Sequence, residues 1–202
     1  IIDEWGTWFN VEPGTHPGFL YQQSTMRDAL VAGINLNIFN KNCDRVKMAN
    51  IAQMVNVLQA VILTDKEKML LTPTYHVFDL YKYHQNAQLI DSKLEGIEMI
   101  GLEDEYMVPN LNESISMSKD GKVHMTLNNL SISDSYDIEG IFIDSEVKSV
   151  KGRILTDEMN AYNTFDNPEN VSTKEFLDFK ITHKGVSIKV PPCSVLHLEI
   201  EV

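Results

Sequence analysis

Residues 1–10 read "IIDEWGTWFN". Two apolar residues, Ile1 and Ile2, lead into the acidic pair Asp3-Glu4, then Trp5 and Gly6. This is the order of a short buried strand that ends on a carboxylate and turns at a glycine, with Trp8 and Phe9 just beyond. Such a strand needs a partner, and an acid at its end needs a reason. Ile1 is not a natural chain start, so any targeting segment is expected upstream of it.

Reading outward from that stretch, Met26, Ala29, Leu30, Gly33 and Ile34 fall at helical spacing after Ser24-Thr25, an N-cap pair. The pattern predicts a helix from Thr25 to Phe39, closed by the loop "NKNCD". The tract "RVKMANIAQMVNVL" (residues 45–58) reads as a buried strand running into a loop or short helix, and "TDKEK" (64–68) as a solvated loop. Thr72-Pro73 supplies the N-cap and first-turn proline of a second helix, "PTYHVFDLYKYHQ". The first part is therefore two βα units. Two such units cannot cover both faces of a parallel sheet, so this part is expected to belong to a larger α/β body.

Near residue 90 the period changes from helical to two. Val123, Met125 and Leu127 alternate with polar neighbours, as do Val186, Ile188 and Val190, and again Leu196, Leu198, Ile200 and Val202. "KDGK" and "HKG" separate these runs, and "VPPC" interrupts one. The predicted class is α/β plus all-β, with βα units over residues 1–88 and a β-sandwich over 89–202.

Composition narrows the function. A net charge of -12 and a pI near 4.8 argue against a nucleic-acid footprint, which needs a basic surface. No apolar run reaches the length needed to cross a membrane. Cys43 and Cys193 match no metal or redox spacing, and a buried thiol is expected for each. His16, His76, His84, His124, His183 and His197 are scattered, so no zinc site is legible, and their pattern calls for no cofactor. His76 is expected as a packing or surface residue, and His16 in a loop overhanging the pocket that follows Glu4. A phosphate-binding glycine loop, a serine-nucleophile elbow and a Cys-His pair are all missing from the sequence.

Glu4, at a strand's carboxyl end and followed by aromatics, suits chemistry on a sugar, whose apolar face stacks on Trp. An exposed charge at a strand end is the plainer account, because one acid beside Trp is a weak signal. Asn50, Gln53 and Asn56 form a second group. Buried amides need partners, and a carbohydrate supplies both donors and acceptors. Periodicity alone favours amides bonded to loop backbone or water.

The motifs then carry a resemblance. D-E-W at 3–5, C-D-R-V-K at 43–47 and A-N-I-A-Q-M-V-N at 49–56 closely resemble the C-terminal part of the α-L-arabinofuranosidases of glycoside hydrolase family 51. "TPTYHVFDLYKYH", "MNAYNTFDNPENV" and "PPCSV" extend it, and it is weakest between residues 90 and 150. The resemblance implies the C-terminal piece of a (β/α)8 barrel followed by a jelly-roll β-sandwich. It makes Glu4 the nucleophile of a retaining, exo-acting hydrolase that releases terminal α-L-arabinofuranosyl groups from oligosaccharides or polysaccharides. It further implies that Gln53 contacts the bound arabinose, that Trp5 lies beside that subsite, and that the full-length enzyme forms a homo-oligomer. The family's acid/base glutamate sits in an N-E motif on an upstream strand, so this chain alone is expected to be inactive. Two other readings stay open: a non-catalytic sandwich module that binds polysaccharide, for which Phe142, Tyr162 and Phe165 are available, and a related glycosidase such as a xylosidase.

Overall fold

A computed structural model describes residues 1–143 and 145–202. The first strand, β1 (Ile2–Trp5), is followed by helix α1 (Met26–Lys41) and by β2 (Ala49–Ile51), which pairs with β1 in parallel. The hairpin β3 (Ile62–Asp65) and β4 (Lys68–Leu71) comes next, then α2 (Pro73–Tyr81) and a 3-10 turn over Lys82–His84. Thr25 caps α1, where the Asp28 carboxylate accepts the Thr25 N–H at 2.8 Å, and Thr72-Pro73 opens α2 as predicted. The "TDKEK" tract is exposed as expected, but it is more than a loop. It forms the hairpin turn, because Leu63 and Leu70 on its two arms bury against Tyr21 and Phe165 and draw the strands together.

The chain then continues as β5 (Gln88–Ile90), β6 (Met99–Leu102), β7 (Tyr106–Pro109), β8 (Leu111–Met117) and β9 (Val123–Asn129). After these come β10 (Tyr136–Ile141), β11 (Ser149–Thr156), β12 (Lys174–Phe176), β13 (Phe179–Thr182), β14 (Gly185–Val190) and β15 (Ser194–Glu201). A six-stranded antiparallel sheet runs β12-β11-β15-β9-β8-β5, and a three-stranded one runs β10-β14-β13. Between them lies one apolar core, with Val123, Met125, Leu127, Leu196, Leu198 and Ile200 from the larger sheet and Val186, Ile188 and Val190 from the smaller. These are the residues whose alternation was read from the sequence. The expected division at 88/89 falls inside β5.

The alternating polar positions of β9 are buried as well, because α1 and α2 lie across the outer face of the large sheet. That joint is stitched by hydrogen bonds. Asn37 on α1 accepts from Ser114 Oγ at 2.8 Å and Thr126 Oγ1 at 2.9 Å, and donates to Asn112 Oδ1 at 2.7 Å. Asn128 Nδ2 donates to the Leu30 carbonyl at 2.8 Å, and Asn40 Nδ2 to Ser114 Oγ at 3.0 Å. The two-stranded β1–β2 sheet would be marginal by itself. It survives because one face packs on the helices, which in turn rest on the larger sheet.

Three imidazoles gather at the end of α2. His84 bonds Ser116 Oγ at 2.7 Å and Thr126 Oγ1 at 3.0 Å, His124 Nδ1 lies 3.2 Å from His197 Nε2, and Tyr83 stacks on both His124 and His197. Burial, then the neighbouring imidazoles, pushes His197 down to about 3; burial and His124 push His84 down to about 4. His124 is lowered by burial too. Both cysteines are free thiols, and Cys193 is buried as expected. Cys43 is exposed instead, on the turn that follows α1. Among the described residues, no helix is long and apolar enough to cross a membrane.

Candidate active site

Pairing of β1 with β2 sets Trp5 opposite Ile51, and the Ala52 N–H donates to the Trp5 carbonyl at 2.8 Å. Facing partners in a sheet share a side, and a step of one residue changes it. Trp5 and Ile51 accordingly face the helices, whereas Glu4 and Asn50, one residue earlier on each strand, are exposed. Gln53, also exposed, lies two residues past the end of β2. Glu4 and Gln53 thus stand at the carboxyl ends of neighbouring parallel strands.

Trp5 is not beside them. Its ring is only 8% exposed, edge-on to Phe39 at 5.4 Å and 6.0 Å from Phe78, so it is a core residue beneath the strand pair. An irregularity in β1 sets this: Asp3 and Glu4 are both exposed, while Ile2 and Trp5 on either side of them pack toward the helices. The most exposed aromatic close after Glu4 is Trp8, at 67%, with Phe9 next to it at 38%. Asn56 follows the plainer account, with Oδ1 accepting the Thr64 N–H at 2.7 Å and Nδ2 donating to Thr64 Oγ1 at 2.8 Å. His76 is half-buried on α2. Of Phe142, Tyr162 and Phe165 only Tyr162 is exposed, so they form no aromatic row.

A buried polar network anchors the turn behind Glu4. Gly6 has φ +145, and a Cβ there would sit 3.1 Å from Gln59 Cγ. Glycine is therefore needed both for the backbone angle and for the close approach. Beyond it, the Thr7 N–H donates to Gln59 Oε1 at 2.7 Å, and Thr7 Oγ1 lies 2.5 Å from both Asp28 Oδ1 and Gln59 Oε1. Gln22 Nε2 donates to the Thr7 carbonyl at 3.2 Å, and Gln22 Oε1 accepts the Phe9 N–H at 2.9 Å. Gln59 Nε2 donates to Thr74 Oγ1 at 3.0 Å. Thr7, Gln22, Asp28, Gln59 and Thr74 are all buried, and the Arg27 guanidinium covers the Phe9 ring at 3.5 Å. Only the Thr25-x-x-Asp28 spacing hinted at this network in the sequence. Gln22 and Gln59 gave no signal, because their partners come from distant segments.

The arrangement offers two neighbouring exposed carboxylates, Asp3 and Glu4, at the end of β1, the exposed amide of Gln53 just past the adjacent strand and an exposed indole on the following loop, above a buried polar network. Among the described residues no group of three or more His, Cys, Asp or Glu side chains is placed to hold a metal ion. The donor set is that of proton and acyl- or glycosyl-type chemistry.

Comparisons with known proteins agree along the chain's length. The model of the α-L-arabinofuranosidase C-terminal domain matches residues 3–194. The chain is 43% identical over 202 residues to an intracellular exo-α-L-arabinofuranosidase of Bacteroides ovatus, covering all of this chain and 39% of that protein. The crystal structure of the GH51 arabinofuranosidase from Xanthomonas axonopodis pv. citri superposes with a TM-score of 0.91 at 43% identity, over 100% of this chain and 41% of that one. The thermostable GH51 α-L-arabinofuranosidase from Thermotoga petrophila RKU-1 gives 0.82 at 25% identity, over 98% and 42%. The chain therefore spans about two fifths of the length of these relatives. It belongs to the α-L-arabinofuranosidase C-terminal domain family, within glycoside hydrolase family 51.

Proposed function

We propose that this chain carries the nucleophile of a retaining exo-α-L-arabinofuranosidase, with Glu4 in that role. The observation that bears most weight is the position of Glu4: exposed at the carboxyl end of a parallel strand, on the face turned away from the helices. In this reading β1 and β2 are the last two strands of a (β/α)8 barrel, and the two facing sheets are a jelly-roll β-sandwich. Carboxyl ends of barrel strands are where such enzymes place their catalytic groups.

The Glu4 carboxylate attacks the anomeric carbon of a terminal arabinofuranosyl group. The C–O bond to the leaving group breaks as a second carboxylic acid, from the part of the enzyme outside this chain, protonates the departing oxygen. Water, deprotonated by that same residue, then attacks the covalent intermediate and frees Glu4. The two carboxyl groups of a retaining pair stand roughly 5–5.5 Å apart, so residues 1–202 alone are inactive. Gln53 would hydrogen-bond the sugar from the adjacent strand, and Trp8 offers the indole face that Trp5 cannot.

The test uses the full-length enzyme and an aryl α-L-arabinofuranoside with a good leaving group. Glu4→Ala should be inactive, and added azide should restore turnover with an inverted azido product. Normal hydrolysis by Glu4→Ala would reduce Glu4 to a strand-end charge and end this reading.

A further inference from the structure

Among the described residues, six non-glycine positions have a left-handed backbone, and of these only Gln59, at φ 54°, has no exposed surface at all. That region of backbone space suits glycine. A glutamine stays there only where its surroundings over-determine it, and such positions gather at functional sites.

Gln59 lies on the segment 52–61 that joins β2 to β3, the same segment that carries Gln53. Its side chain crosses to the turn after β1, so one amide ties together the two strand ends that bear Glu4 and Gln53. Oε1 accepts the Thr7 N–H at 2.7 Å, and Cβ and Cγ fill the space that a methyl group on Gly6 would need. At its other end Nε2 donates to Thr74 Oγ1 at 3.0 Å, in the first turn of α2, and α2 rests on the large sheet. The side chain is thus a strut between the turn behind Glu4 and a braced helix. Pairing of β1 with β2 does not depend on it. The Ile2 N–H to Met48 carbonyl bond at 2.9 Å and the Ala52 N–H to Trp5 carbonyl bond at 2.8 Å hold the strands without it.

We infer that Gln59 is a positioning residue, which acts through Gly6 and Thr7 to hold the Glu4 carboxylate where it attacks the anomeric carbon. This rests on the nucleophile reading above. A misplacement of about 1 Å costs on the order of a hundredfold in rate, while a sugar gripped by other groups binds nearly as before. An amide that only filled a hole would lower stability and every activity alike.

The experiment uses the full-length enzyme and an aryl α-L-arabinofuranoside. Gln59→Met keeps the length of the side chain and removes its amide; it should lower kcat about a hundredfold and change KM by less than about threefold. Asn129→Leu removes another buried amide, in the sandwich, and should keep kcat within about twofold of wild type. The deciding pair is Glu4→Ala with and without Gln59→Met, both supplied with azide. Azide attacks without a side chain to position, so the two rescued rates should agree within about twofold. Full kcat in Gln59→Met, or a rescued rate that falls as steeply as kcat does, overturns the assignment. Thr74→Val frees the same amide at its other end and should lower kcat several-fold, with the same azide pattern; it carries the test if Gln59→Met does not fold. Glu4→Ala active without azide ends the nucleophile reading, and the role of Gln59 with it. An inactive, azide-rescued Glu4→Ala beside a fully active Gln59→Met leaves that reading standing and removes Gln59 alone.

Discussion

Acid should loosen the joint between the helices and the large sheet, and His197 gives the size of the effect. In the unfolded chain a histidine titrates near 6.5, whereas folded His197 titrates at about 3 and His84 at about 4. With both folded values depressed, the unfolded state binds more protons, so the stability is complete above 6.5 and drains away as pH falls from 6.5 toward 3–4. At pH 5 each group should remove about 2 kcal/mol relative to pH 7.5, or about 4 kcal/mol together, from 1.36 kcal/mol per unit of differential titration. That is a large part of the roughly 5–15 kcal/mol that holds a typical domain folded. The charges facing the cluster are few: Asp79 and Arg153 near His197, and Glu199, Asp120 and Lys122 near His124. Urea unfolding at the two pH values, read by the fluorescence of Trp5 between Phe39 and Phe78, measures the change. His197→Gln should lose about 2 kcal/mol less than wild type between pH 7.5 and 5. Equal losses in the two proteins would show that the cluster does not set the acid response.

Three further perturbations probe the elements around the site. Thr7→Val removes the hydroxyl between Asp28 and Gln59; it should lower stability in urea by about 1–3 kcal/mol, and Thr7→Ser should recover most of it. Leu198→Ala, at a fully buried position between the two sheets, should cost about 2–5 kcal/mol by the same assay. Gly185→Ala combines φ +148 with a Cβ 2.1 Å from the Gly140 carbonyl oxygen, and should exceed the roughly 1–3 kcal/mol of backbone strain alone, read as a lower thermal midpoint.

The inner face of the sheets was legible because burial there follows a period of two, and each apolar residue reports its own environment. The helices were legible because Thr25 and Thr72-Pro73 announce their starts locally. What escaped the sequence depends on distant partners. "TDKEK" is solvated as read, but its place at the tip of a hairpin is invisible until Leu63 and Leu70 meet Tyr21 and Phe165. His124, Thr126 and Asn128 look like the wet face of β9 until two helices from the other end of the chain cover them. The motif singles out Glu4 and Trp5 together, but only Glu4 is exposed: the Trp5 ring packs on Phe39 and Phe78, partners that lie 34 and 73 residues further along the chain. Gln59 had no local signature at all, although it holds the turn behind Glu4.

The polar stitching of the helices to the large sheet constrains how this protein can be recombined. Asn37, Asn40 and the Leu30 carbonyl reach partners 74 to 98 residues away in the sequence. An apolar joint tolerates a substitute of similar volume, but a directional bond needs a donor facing an acceptor on each side. A chimera that took its helices from one relative and its sheets from another would therefore inherit mismatched halves unless both parents kept the same pairs. The two parts are separable in sequence, yet they have to be inherited as one unit.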